Sequence, residues 1–139
     1  WTVKVDPDTV FFPDRLRKHL QQVEMPKNDT RGVYIKNCPH KFGLMGPIEV
    51  FSRMAVATYS RHSKGCQRTG DVNNSGEDGY FAGCMETIGL ESKEDFSMLV
   101  DQWCKTGQCQ NDDWSVAFHP YKDKQSYFNC LNSVSPFVR

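Results

Sequence analysis

Trp1-Thr2-Val3-Lys4-Val5-Asp6-Pro7-Asp8-Thr9-Val10-Phe11-Phe12 opens the chain. Its first five residues read as a buried strand, and Asp6-Pro7-Asp8 closes that strand with two acidic side chains. An Asp-x-Asp tripeptide arises about once by chance in a chain of this composition, so its weight comes from its surroundings. Taken alone, Asp6 and Asp8 are turn residues that hydrogen-bond to backbone around Pro7. At the end of a strand, the same pair is also placed to meet a metal-bound phosphate.

Working outward, Pro13 stands at a helix start, and Leu16, Leu20 and Val23 recur at helical spacing to about Glu24. A polar break over 26–31 leads to a second strand, Gly32-Val33-Tyr34-Ile35-Lys36, which runs toward Cys38. From Ile48 to about Arg61, Phe51, Met54, Ala55, Thr58 and Tyr59 hold a 3.6-residue period, so a second helix is expected after Gly46-Pro47. A third is expected from Glu77 to Ile88, stopped by Gly89. Residues 91–113 are mixed and polar; a short helix around Phe96 to Trp103 fits, with Cys104 and Cys109 near enough to bridge in a turn. Trp114 to Phe118 alternates as a last strand ending at His119-Pro120, and Cys130 anchors the tail. These elements make one α/β domain over 1–139, with a mixed sheet and about three main helices.

The 139 residues are 38% hydrophobic and 12% aromatic, enough for a real core. Seventeen basic residues balance seventeen acidic ones, so no net field draws the chain to nucleic acid or an anionic membrane. No apolar stretch approaches the roughly 20 residues that span a bilayer, and the N-terminus carries no signal-peptide pattern. The start at Trp1, inside a strand-like run, reads as a processed product or a segment of a longer polypeptide. Six cysteines, none spaced C-x-x-C, favour disulfides over zinc, with fifteen pairings open. Together with the sequons Asn28-Asp29-Thr30 and Asn73-Asn74-Ser75, they point to an extracytosolic or lumenal compartment such as the Golgi, the endoplasmic reticulum or the secreted space.

Three polar groups sit at the ends of regular elements: Asp6 and Asp8 after the first strand, Glu77 and Asp78 at a helix start, and His119 after the last strand. Asp8 and His119 approach one point if their strands run parallel and close. Oxygen ligands with one imidazole suit Mn²⁺ or Mg²⁺ bridging the diphosphate of a nucleotide sugar. Asp78 is then placed as the base that takes a proton from an attacking hydroxyl, with Glu77 holding the acceptor or steadying Asp78. The plainer readings are helix capping for Glu77 and Asp78 and a packed, backbone-bonded His119. An EF-hand is excluded, because position six of a loop counted from Asp6 is Phe11 and position twelve is Arg17.

Trp1 to Leu20 resembles a segment of GT-A glycosyltransferases, above all the β-1,3-glycosyltransferase and fringe-like families, in which W-x-x-K-x-D-x-D-T precedes a helix. Gly46 to Arg53, Gly76 to Leu90 (GEDGYFAGCMETIGL) and Ala117-Phe118-His119-Pro120 resemble later segments of those families, in the same order. The resemblance implies that Asp8 and His119 bind the metal and that Asp6 contacts the metal or the nucleotide ribose. It also implies that Lys122 reaches the diphosphate and that Asp78 is the base of an inverting transfer to a glycan or protein acceptor. It covers only the later, acceptor-side half of a GT-A domain, with the nucleotide-binding half absent. Two readings follow: a metal-dependent sugar transferase in the parent protein, or a non-catalytic scaffold or accessory subunit docking with protein subunits of a larger assembly. A disulfide-stapled secreted module that binds calcium structurally is the third.

Overall fold

The computed structural model describes residues 1–28, 30–68 and 72–134, with backbone alone at 67, 68 and 72–75. Asp29 and the side chains of Asn73, Asn74 and Ser75 therefore lie outside the described residues, while Asn28 and Thr30 are exposed.

Two sheets form the frame. The first has the order β1-β4-β3-β5, built from β1 (Thr2–Val5), β4 (Ile48–Phe51), β3 (Val33–Lys36) and β5 (Glu91–Glu94); β4 is antiparallel to β1 and β3, while β5 runs parallel to β3. The second has the order β2-β7-β6, with β2 (Val10–Phe11) antiparallel and β6 (Leu99–Val100) parallel to β7 (Ala117–Phe118). Among the described residues, four helices pack around them: α1 (Pro13–Leu20), α2 (Arg53–His62), α3 (Val72–Thr87) and α4 (Lys124–Val134).

Side-chain alternation on the first sheet explains its two cores. Val33 and Ile35 of β3, with Ile48 and Val50 of β4, point toward α1 and pack with Leu16, Met98, Leu99 and Val116. Tyr34 and Phe51 point the other way, under α2 and α3, and pack with Ala55, Met85 and Ile88. Glu49 stands between Ile48 and Val50, so the same alternation turns it toward the α2 and α3 side, where it is 2% exposed. A third core of Val10, Val100 and Phe118 seats α4 against the second sheet.

Several sequence expectations are corrected. Ile48 to Phe51 is strand, not the first turn of a helix; α2 begins only after Ser52, whose hydroxyl accepts from Ala55 N at 3.2 Å and from Val33 N at 2.9 Å. That seat needs Gly32, since a Cβ there would lie 2.0 Å from Ala55 N and its φ is 104°. The helix expected from Glu77 is the part of α3 beyond Gly76, where φ is 69° and ψ 178° break the helical path. No helix spans 96–103; β6 lies there, following β5. The tail holds α4, which begins where Asp123 Oδ1 accepts from Ser126 N at 2.9 Å.

All six cysteines are paired: Cys38 with Cys104, Cys66 with Cys84, and Cys109 with Cys130. The local Cys104–Cys109 bridge is therefore not made. Cys38 follows β3 and Cys104 follows β6, so their bond joins the two sheets. Three intramolecular disulfides belong to an oxidising, extracytosolic or lumenal environment. No described helix is long and apolar enough to cross a membrane.

The Cys38–Cys104 bond closes a sequence separation of 66 residues, the longest of the three. By loop-closure entropy its removal should cost about 4 kcal/mol, against about 3 for either shorter bridge. Urea unfolding of the paired Cys38→Ala/Cys104→Ala variant beside the paired Cys66→Ala/Cys84→Ala variant checks that order.

Candidate functional site

The expected residues fall into two separate groups. Asp8 and His119 do meet, but through antiparallel rather than parallel strands. β2 starts just after Asp8 and β7 ends just before His119, so their antiparallel pairing puts the start of one beside the end of the other. Tyr121 N donates to Asp8 O at 2.8 Å and fixes the junction. Asp8 Oδ2 then lies 3.6 Å from His119 Nε2 and 2.9 Å from Lys122 Nζ. On the ring's other side, His119 Nδ1 lies 2.7 Å from Oδ2 of the buried Asp101. Asp101 Oδ1 accepts from Trp103 N at 2.9 Å. The hydrogen bond from Lys122 holds the Asp8 carboxyl below its ordinary value.

Asp6 belongs elsewhere. Its Oδ1 lies 3.0 Å from Lys4 Nζ, on the first sheet. Lys4 Nζ also donates to Gly46 O at 3.1 Å and faces Glu77 Oε1 at 3.7 Å and Glu49 Oε2 at 3.9 Å. The register β1 to β4 sets Lys4 directly opposite Glu49, so this ammonium is part of a cross-strand pair. Burial works against its charge, but the hydrogen bond to Asp6 and the charges of Glu49, Asp6 and Glu77 outweigh it and raise the ammonium above its ordinary value.

Asp78 closes the second group. The Gly46 N–H donates to it, and a Cβ on Gly46 would lie 2.6 Å from Asp78 Oδ1, so a larger residue there would displace the carboxylate. Burial, with Glu77 and Asp6 nearby, pushes the Asp78 carboxyl up against that hydrogen bond and Lys4. Glu49 is the residue that sequence reasoning passed over. Burial, reinforced by Glu77, Asp78 and Asp6 and opposed by Lys4, pushes it up to about 7. Its Oε1 is buried without a hydrogen-bond partner, an arrangement that costs about 1–3 kcal/mol. The signal available was a single acid inside the apolar run Ile48-Glu49-Val50-Phe51.

This geometry overturns the metal site. Among the described residues, no group of three or more His, Cys, Asp or Glu side chains is arranged to hold a metal ion. Lys4 draws Asp6 away from Asp8, Lys122 places an ammonium on the Asp8 carboxylate, and Asp101 spends its oxygens on His119 and the Trp103 amide. The expected Mn²⁺ or Mg²⁺ and the metal-dependent sugar transfer built on it are corrected accordingly. Lys122, expected at the diphosphate, is here the ion-pair partner of Asp8. Comparison of the chain with protein-family models, with curated proteins and with solved structures finds no match in any of the three.

The raised Glu49 carboxyl has a signed consequence. Its folded value, about 7, lies above its ordinary 4.5, so the folded protein binds more protons than the unfolded chain between those limits. Its contribution to stability is full below pH about 4.5 and falls as pH rises to about 7, a loss of about 3 kcal/mol. Glu49→Gln should flatten that decline, so that the variant overtakes the parent at pH 8 relative to pH 5 in urea unfolding at the two pH values.

Proposed function

We propose that this chain is a non-catalytic module of glycosyltransferase-like descent that serves as a scaffold or accessory subunit in an oxidising lumen. The observation that carries this reading is that, among the described residues, no third His, Cys, Asp or Glu joins Asp8 and His119 to complete a cation site. Asp8 is paired instead with the Lys122 ammonium. The four sequence segments that resemble the later half of a GT-A domain support the descent. The three disulfides support the compartment.

The surface supports a protein partner. Among the described residues β1 forms an outer edge of the four-stranded sheet, a position at which a partner's strand can add. Beside it, Trp1, Met25 and Met54 are 45%, 44% and 40% exposed around a concavity of about 580 Å³. An extended segment of a partner with apolar side chains pairs with β1 and fills that concavity.

Calorimetric titration of the full-length protein with Mn²⁺ tests the reading. No saturable heat is expected up to about 1 mM, and donor hydrolysis should be absent with or without the metal. Saturable binding tighter than about 1 mM that disappears in Asp8→Ala would overturn it.

A further inference from the structure

The concavity bounded by Trp1, Met25 and Met54 carries charge of one sign. Its wall on α2 holds Arg53, Ala57 and Arg61, and no acidic side chain lines it. Positions four apart share one face of a helix, so the two arginines stand on either side of Ala57. Both are exposed, and among the described residues neither side chain makes a hydrogen bond or an ion pair. The other arginines whose side chains are described are engaged. Arg15 donates to the Ser115 carbonyl, Arg17 pairs with Asp14, and Arg31 donates to the Ile88 carbonyl.

Tryptophan, methionine and arginine are enriched where proteins dock, and lysine and the acids are depleted there. The spacing of the two arginines sets that of the partner's charges. Eight residues of α-helix span about 12 Å, and four residues of extended chain span about 13 Å. Side chains i, i+2 and i+4 of an extended chain share one face. An extended segment lying along α2 therefore meets both guanidinium groups with acidic residues at i and i+4, and turns the residue between them onto Ala57. Each carboxylate can accept two parallel N–H bonds from its arginine. A second copy does not supply this pattern, because acidic residues four apart occur in this chain only at Glu91 and Asp95, with Lys93 between them. The balance of seventeen basic and seventeen acidic residues gives nucleic acid no long-range pull.

We propose that this concavity binds an extended segment of a different protein, with carboxylates four residues apart on Arg53 and Arg61 and an apolar side chain midway against Ala57 and Met54. This rests on the reading of the chain as a protein-docking module and narrows the partner to one whose sequence runs acid-x-apolar-x-acid. Burial of the apolar group holds the segment, and the two arginines select it. Exposed ion pairs add little affinity each, so their effect is discrimination in favour of acidic partners and against basic ones.

The probe is the peptide Ac-Thr-Glu-Thr-Leu-Thr-Glu-Thr-NH₂, beside counterparts in which glutamine or lysine replaces both glutamates. Each is titrated to about 5 mM into ¹⁵N-labelled full-length protein at low salt and followed by NMR. Shifts are expected at Met25, Arg53, Met54, Ala57 and Arg61, with affinity at least about threefold lower for the glutamine peptide and lower again for the lysine peptide. The paired Arg53→Glu/Arg61→Glu variant, changed at two exposed positions, should keep its spectrum elsewhere and reverse the order. Met54→Ser should weaken all three peptides and keep the order. Equal affinity for the three at this concavity would overturn the acidic selection while leaving docking here intact. Absence of binding by all three, shifts confined to other surfaces, or an unchanged order in the double variant would also overturn the proposal. So would shifts at the same residues on concentrating the protein alone, which would make the occupant a second copy. The Mn²⁺ titration decides the non-catalytic reading separately, so a failure here is distinguishable from a failure there.

Discussion

Lys4 is the side chain on which the arrangement of this molecule's polar groups depends. From the edge strand β1 it reaches Asp6 on its own strand's end, Glu49 on β4, Glu77 on α3 and the Gly46 carbonyl in the loop that carries Asp78. One half-buried ammonium thus ties two strands, a loop and a helix. Two consequences follow from the same contact. Asp6 pairs with Lys4 and not with the His119 group, and among the described residues no third ligand joins Asp8 and His119. Glu49 is kept beneath α2 and α3 with one oxygen engaged at 3.9 Å and the other unpartnered.

The two acidic residues of Asp6-Pro7-Asp8 therefore serve different sheets. Asp6 ends the first sheet and belongs to the Lys4 group, while Asp8 opens the second and belongs to the His119 group. The turn between them, in which Thr9 N donates to Asp6 O at 3.0 Å, is where the chain passes from one sheet to the other. The Cys38–Cys104 bond makes a second link between the same two sheets at a different place. Together they hold the two charged groups in fixed relation.

Much of this was legible in the sequence. Trp1 to Val5, Pro13 to Leu20 and Val33 to Lys36 carry apolar spacing and punctuation that name their structures, and β1, α1 and β3 lie there. Ile48-Glu49-Val50-Phe51 was misread because a fully buried strand followed at once by a helix continues the helical pattern backward. Ser52, as a capping residue, held the boundary. β5 is Glu-Ser-Lys-Glu, held by its parallel pairing with β3 and not by apolar alternation, so periodicity does not find it. α4 was missed because its apolar face is weak, though Asp123 three residues before Ser126 is a readable cap. Of the site, sequence placed Asp8 with His119 and Glu77 with Asp78. It could not separate Asp6 from Asp8, pair six cysteines, or see that Glu49 has an orphan oxygen, because each depends on contacts across distant parts of the chain.

The acidic groups of this fold are organised around Lys4, and among the described residues none is organised as a metal centre at Asp8. A ¹³C NMR titration of the side-chain carboxyl carbons measures this most directly. Glu49 should titrate near pH about 7, with Asp8 below its ordinary range and neither resonance broadened by added Mn²⁺. Titration of Glu49 near its ordinary 4.5, or selective broadening of Asp8 by Mn²⁺, would contradict it.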